Sequence, residues 1–172
     1  MTDFYQKITN VQGTLEDVVR RIPGFRGYFE RQDRRAADRL LREHLVRVFE
    51  EQLGEFSRLQ QQLVAMGGLT HMERVQAIDT QLRTFIDRIR TAPQGYAGVF
   101  DSVKITPDSL ASVYAFDNAL LAYQDQFSAG LQELAGAIGS AEALAGVLEQ
   151  LESIVREANN AFRRRVETLQ GL

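Results

Sequence analysis

The chain has 172 residues, of which 44% are hydrophobic and 25% charged, with a formal net charge of −3 and no cysteine. That length and apolar content suit one domain with a real core, spanning residues 1–172, rather than a disordered chain. The charge balance points away from nucleic acid, and the lack of cysteine excludes disulfides, thiolate metal sites and cysteine nucleophiles.

Met1 is followed by Thr2-Asp3-Phe4-Tyr5, without a basic region or a long apolar run. No segment approaches the ~18 uninterrupted apolar residues of a bilayer span. The expectation is a cytoplasmic protein without a secretory signal. β-branched alternation is nowhere sustained, so no strand is predicted. The fold class read from the pattern is all-α: an elongated antiparallel bundle of about five helices, four long ones plus an N-terminal amphipathic helix.

The first helix is predicted from Thr2 to about Ile22, with Phe4, Ile8, Val11, Leu15, Val18 and Ile22 on one face. Pro23 ends it by steering its predecessor away from helical angles. After a turn at Pro23–Tyr28, a second helix is predicted to about Met66, with Leu41, Leu45, Val48, Phe56, Leu59 and Leu63 as its stripe. Gly67-Gly68 stops it. Thr70-His71-Met72-Glu73 reads as a capping box for a third helix that runs to about Ala92 through Val75, Ile78, Leu82, Phe85 and Ile89. Pro93 to Ile105 reads as a loop, and Thr106-Pro107 as a helix start. The fourth helix is predicted over Pro107–Ile138. The fifth follows Gly139-Ser140 and continues to about Leu169.

The third helix is much shorter than its neighbours, so the Pro93–Ile105 loop is expected to cover apolar surface in the lower bundle. That places Phe100 in the interior against the first or second helix, with Tyr96 or Phe25 nearby.

Motifs that carry chemistry are lacking. There is no phosphate-binding Gly-x-x-x-x-Gly-Lys, and no Glu-x-x-His pair for a carboxylate-bridged metal centre. His44 and His71 read as structural or solvated residues, and no catalytic residue, cofactor or metal site is assigned. Arg20, Arg21, Arg26, Arg31, Arg34, Arg35, Arg39 and Arg163–Arg165 gather toward one end, with Lys104 near it. Such an end can hold an anion or an acidic partner, but Glu30, Asp33 and Asp38 interleave with the arginines as in surface ion pairs. Asp117 falls on the apolar face of the fourth helix, where a carboxylate needs a partner. The expectation is a buried ion pair with Arg35, Arg39 or Arg164 that fixes helix register. Phe25, Arg26, Tyr28, Arg34, Arg35, Tyr96, Phe100 and Lys104 form a possible interaction surface, with plugging of the bundle end as the competing role for the aromatics.

Three segments resemble a group of uncharacterised bacterial all-helical proteins. They are Pro23-Gly24-Phe25-Arg26-Gly27-Tyr28, the Asp33–Arg42 stretch, and Asp87-Arg88-Ile89-Arg90 with Gly95–Asp101. The likeness covers about Ile22 to Leu121. It implies a bacterial, cytoplasmic protein and supplies no catalytic residues.

The functional expectation is a non-enzymatic helical interaction or scaffold protein that binds a protein partner or itself. The second reading is a peripheral membrane protein using the N-terminal helix and the arginine-rich end. An enzyme of unspecified type is third. No nucleic acid is expected as a partner, and no small-molecule substrate is identified.

Overall fold

A computed structural model describes residues 15–31, 33–92 and 107–170, with the side chains of 29 and 107–111 excepted. Among these residues six α-helices follow in order: α1 over 15–21, α2 Phe25–Glu30, α3 Arg34–Ala65, α4 Met72–Thr91, α5 Pro107–Ala137 and α6 Ala141–Gln170. Among the described residues no strand occurs, and no helix is long and apolar enough to cross a membrane. The first 14 residues and the 93–106 connection lie outside the described residues. So do the expectations that rest on them, including the burial of Phe100.

α3 to α6 form the bundle. α3 packs beside α4 and α5, and α6 beside the same two, so α3 and α6 sit on one diagonal. The 32 residues of α3 give a rod of about 48 Å, against about 30 Å for the 20 residues of α4. Each of the four helices contributes phenylalanine to a common centre. Phe49 meets Phe85 edge-on with centroids 4.9 Å apart, Phe85 meets Phe162 edge-on at 6.3 Å, and Phe127 lies 6.5 Å from Phe49 and 6.4 Å from Phe56. Such pairs add to the area term of burial. The stripe predicted for α3 differs in one place: Phe49 is in the core, while Val48 beside it is half-buried.

Two boundaries differ from the sequence reading for local reasons. The predicted Tyr28–Met66 helix is two helices. Asp33 interrupts it: its backbone N–H donates to the Tyr28 carbonyl at 2.8 Å, and its Oδ1 accepts from the Ala36 amide at 3.2 Å. It thus serves as the N-cap of α3. The predicted capping box is not formed either. Leu69–His71 make a 3₁₀ turn, and α4 begins at Met72 behind His71 with no side-chain cap. The amide of His71 instead bonds back to the Gly68 carbonyl, so a tight local turn replaces the threonine cap.

The turns between helices follow the sequence closely. Gly67 has φ +80°, and Gly67 and Gly68 donate to the Val64 and Leu63 carbonyls. That is the paired-bond helix ending that a left-handed glycine permits. Gly139 has φ +105°, and Ser140 Oγ accepts from the Ala143 amide at 3.4 Å to start α6. At Ala92, ψ is 133°, the extended angle that the following Pro93 imposes.

Candidate functional site

The basic end contains the most concentrated polar chemistry of the fold. Four of its side chains are buried and charged: Asp38 and Arg42 on α3, Asp117 on α5 and Arg165 on α6. Arg165 donates from Nε to Asp117 Oδ1 at 2.5 Å and from Nη2 to Asp38 Oδ1 at 2.6 Å. The other oxygen of Asp38 accepts from Arg42 Nε at 3.0 Å. Arg42 Nη1 then reaches the Ala92 carbonyl at 3.0 Å and the Ile89 carbonyl at 3.4 Å. Those carbonyls end α4 and have no further helix to bond, so the guanidinium caps that terminus and meets the negative end of its dipole. Two cations and two anions make the cluster neutral and tie all four bundle helices together.

Asp117 is therefore a buried ion pair on the apolar face, but its partner is Arg165. Arg35, Arg39 and Arg164 do not fill that role. Arg35 and Arg164 are exposed, and Arg39 pairs with Glu43 at 3.7 Å. One residue is 100° of helix rotation, which separates exposed Arg164 from Arg165 in the seam. Burial pushes the Asp117 carboxyl above its usual range against the pull of Arg165, and the charge of Asp38 adds to the push. Burial likewise pushes the hydroxyl of neighbouring Tyr114 up to about 12. The void beside Asp38, Arg42 and Arg165 is about 20 Å³, room for about one water and no substrate.

The proposed aromatic–arginine surface does not assemble among the described residues. Phe25 is 2% exposed and belongs to the core, because the short α2 folds under α3 and turns its ring inward. Tyr28 is half-buried against the same core, with the Arg31 guanidinium 4.9 Å from its ring centroid. Arg26 pairs with Glu16 at 3.1 Å, and Arg34 is half-buried. Arg21 binds the Asp125 carboxylate and the Leu121 carbonyl, tying α1 to α5. Tyr96, Phe100 and Lys104 lie outside the described residues. A groove of about 530 Å³ between α3 and α4 carries Arg39, Arg47 and Arg90 on its walls. Glu43 and Glu50 engage two of these arginines. Among the described residues, no three His, Asp or Glu side chains converge as metal ligands do.

The opposite end is chemically different. Large hydrophobic residues are exposed at three described positions, Val64 at 47%, Met66 at 66% and Leu69 at 67%. All three lie in or beside the turn from α3 to α4. From Leu59 to Met72 the chain carries no ionisable side chain except His71, and from Leu134 to Ala141 it carries none. These two stretches meet, and a groove of about 190 Å³ runs between the turns with Met66, His71, Ile138 and Ala141 on its walls. Soluble helical turns are ordinarily polar, and clustered exposed apolar groups mark contact surfaces. The sequence places acidic residues toward this end, Glu133 and Glu142 among them, but they flank the two turns and do not lie in them.

No protein-family model matches the chain, and the same holds for curated proteins and solved structures.

Proposed function

We propose that this chain is a non-enzymatic helical interaction protein whose contact surface is the turn end of the bundle. The observation that carries this reading is the gathering of Val64, Met66 and Leu69 at two turns that carry no acid, lysine or arginine. An apolar patch there costs solubility and contributes nothing to the core, since Leu63, Val75 and Leu144 already close it from inside. The basic end supports the same reading by contrast. Its four buried charges neutralise one another within the fold, so the cluster acts as a rigid clamp that holds a rod in shape.

Capture from the native host tests the reading. Immobilised wild-type chain and a Leu69→Asp variant of equal melting temperature are compared by mass spectrometry. The expected result is a protein set retained by the wild type and lost by the variant. Identical sets on both would refute the turn end as the contact surface.

A further inference from the structure

Independently of the turn end, we infer that α1 is an acid-released strap. It closes over the seam between α3 and α5 at neutral pH, and protonation of His44 lets it swing out about Pro23-Gly24.

α1 is held by a short apolar stripe and by Arg21. Val18 and Ile22 are buried, and Leu15 and Val19 pack against the same core. Arg21 donates to the Leu121 carbonyl at 3.1 Å and to the Asp125 carboxylate, both on α5. The acids of α1 face other arginines, Asp17 with Arg20 at 3.9 Å and Glu16 with Arg26 at 3.1 Å. After Ile22 the chain turns through Pro23 and Gly24, whose φ is +83°, closed by a bond from the Phe25 amide to the Ile22 carbonyl at 3.2 Å. Phe25, itself in the core, anchors the far side of this turn. A left-handed glycine between two separately anchored segments is a place where a change of φ and ψ can be absorbed.

His44 lies half-buried at the same seam. Its Nε2 is 3.2 Å from the side-chain oxygen of Gln124, the residue before Asp125. An imidazolium here is repelled by Arg47 of its own helix and by Arg21 of α1, while Glu51 of α3 attracts it more weakly. Two further carboxylates are already engaged, Asp125 by Arg21 and Glu43 by Arg39. The two arginines relieve the repulsion differently. Arg47 is exposed and can rotate into water. Arg21 retreats only by breaking both of its bonds, and those bonds are the polar hold of α1 on α5.

The direction follows by linkage. With the strap closed, burial first and then the two guanidiniums hold the His44 pKa below 6.5. Opening admits water and withdraws Arg21, so the open form binds the proton more readily. Closure is fully favoured above the open-state value and weakens as pH falls through the lower closed-state value. Each pH unit between those two values changes the closing equilibrium about ten-fold. Burial of Val18 and Ile22 keeps the closed form in the majority. Acid therefore raises a minor open fraction, which hydrogen exchange reads directly.

The test compares amide exchange at about pH 7.5 and 5.5, above the ordinary carboxylate range, with rates corrected for the intrinsic effect of pH. The Ile22 amide, bonded to the Val18 carbonyl at 3.1 Å, reports on α1. The amides of Phe85 on α4 and Phe162 on α6 report on the whole bundle. Wild-type protection at Ile22 should fall at least about two-fold on acidification, and by more than at Phe85 and Phe162. His44→Gln should abolish this extra fall. Arg21→Gln should lower Ile22 protection at both pH values and raise the midpoint of the His44 ring titration, followed by NMR. Equal loss at all three amides would overturn the strap, because His44 then acts on global unfolding alone. An undiminished extra fall in His44→Gln, or an unmoved His44 midpoint in Arg21→Gln, would overturn it as well.

Discussion

Arg165 donates to Asp117 at 2.5 Å, with both side chains 3% exposed. The pair joins α5 to α6 and, through the second arm of Arg165 on Asp38, reaches α3. Removing one partner leaves a buried charge uncompensated, which costs far more than the pair contributes over an apolar replacement. Asp117→Ala should therefore destabilise the fold by about 3–5 kcal/mol in chemical denaturation. The double variant Asp117→Leu with Arg165→Met keeps the Asp38–Arg42 pair and should lie much closer to the wild type than either single change. Additive losses, or a silent Asp117→Ala, would show that the cluster does not act as a unit.

A second polar residue in the interior is less well served. Gln52 is 7% exposed and donates from Nε2 to the Gln124 carbonyl at 2.9 Å, but its Oε1 is buried without a partner among the described residues. An orphaned acceptor costs about 1–3 kcal/mol, while the carbonyl it serves already belongs to the ladder of α5. Gln52→Met keeps the volume and removes the orphan. A gain of about 1 kcal/mol is expected from denaturant midpoints. A loss would mean that the Gln52–Gln124 bond outweighs the stranded oxygen.

Both ends of the molecule were written in the sequence to different depths. The helical pattern and its breaks at Pro23, Gly67 and Gly139 were legible because proline and positive-φ glycine act locally. The buried position of Asp117 was legible from its place between Val113 and Leu121. Its partner was misread by one residue, although the signal existed. Ala158, Phe162, Arg165 and Leu169 recur at steps of four, three and four, so Arg165 occupies a core position that a count along idealised parallel rods passes over. Asp38 stands in the same relation to Leu41 and Leu45 on α3. The split at Asp33 was hidden because the arginine-rich stretch around it continues a good helix pattern on both sides. The apolar turn end was legible only in part. The sequence shows two turns without acid, lysine or arginine, but only the fold brings Val64, Met66 and Leu69 together beyond the last packed layer.

Glycines inside helices offer a paired test of packing. Gly54 on α3 is exposed, and a Cβ added there meets nothing within 4 Å. On α5, a Cβ on Gly130 would come within 2.5 Å of Leu151 Cδ2 and 3.3 Å of its Cγ. Both positions gain the same helix propensity on change to alanine, about 0.5–1 kcal/mol. Gly54→Ala should show that gain. Gly130→Ala should lose stability by about 1–3 kcal/mol, because Leu151 is fully buried and has nowhere to retreat. Two thermal melts decide it. If both variants are stabilised, α5 and α6 can separate freely and the close approach is not a constraint.

His44 supplies a pH dependence that can be isolated. Its imidazole is half-buried between α3 and α5, with Nε2 3.2 Å from Gln124 Oε1 and Nδ1 3.4 Å from Arg47 Nη2. The guanidinium can only donate, so Nδ1 is the acceptor and Nε2 bears the proton of a neutral ring. Burial lowers its pKa below 6.5, and the charges of Arg47 and Arg21 push the same way against the Gln124 bond and Glu51. The unfolded chain therefore binds this proton more readily than the folded one. Linkage then requires the contribution of His44 to be fully present above the unfolded pKa of about 6.5 and to be lost as pH falls through the lower folded value. Between about pH 7.5 and 5.5, above the main carboxylate range, the wild-type melting temperature should decline on acidification. His44→Gln retains a donor toward Gln124 but cannot titrate, so its decline should be shallower. A titration of the His44 ring protons by NMR checks the cause directly. A midpoint at or above 6.5, or parallel melting curves for the two chains, would show that His44 does not carry this dependence.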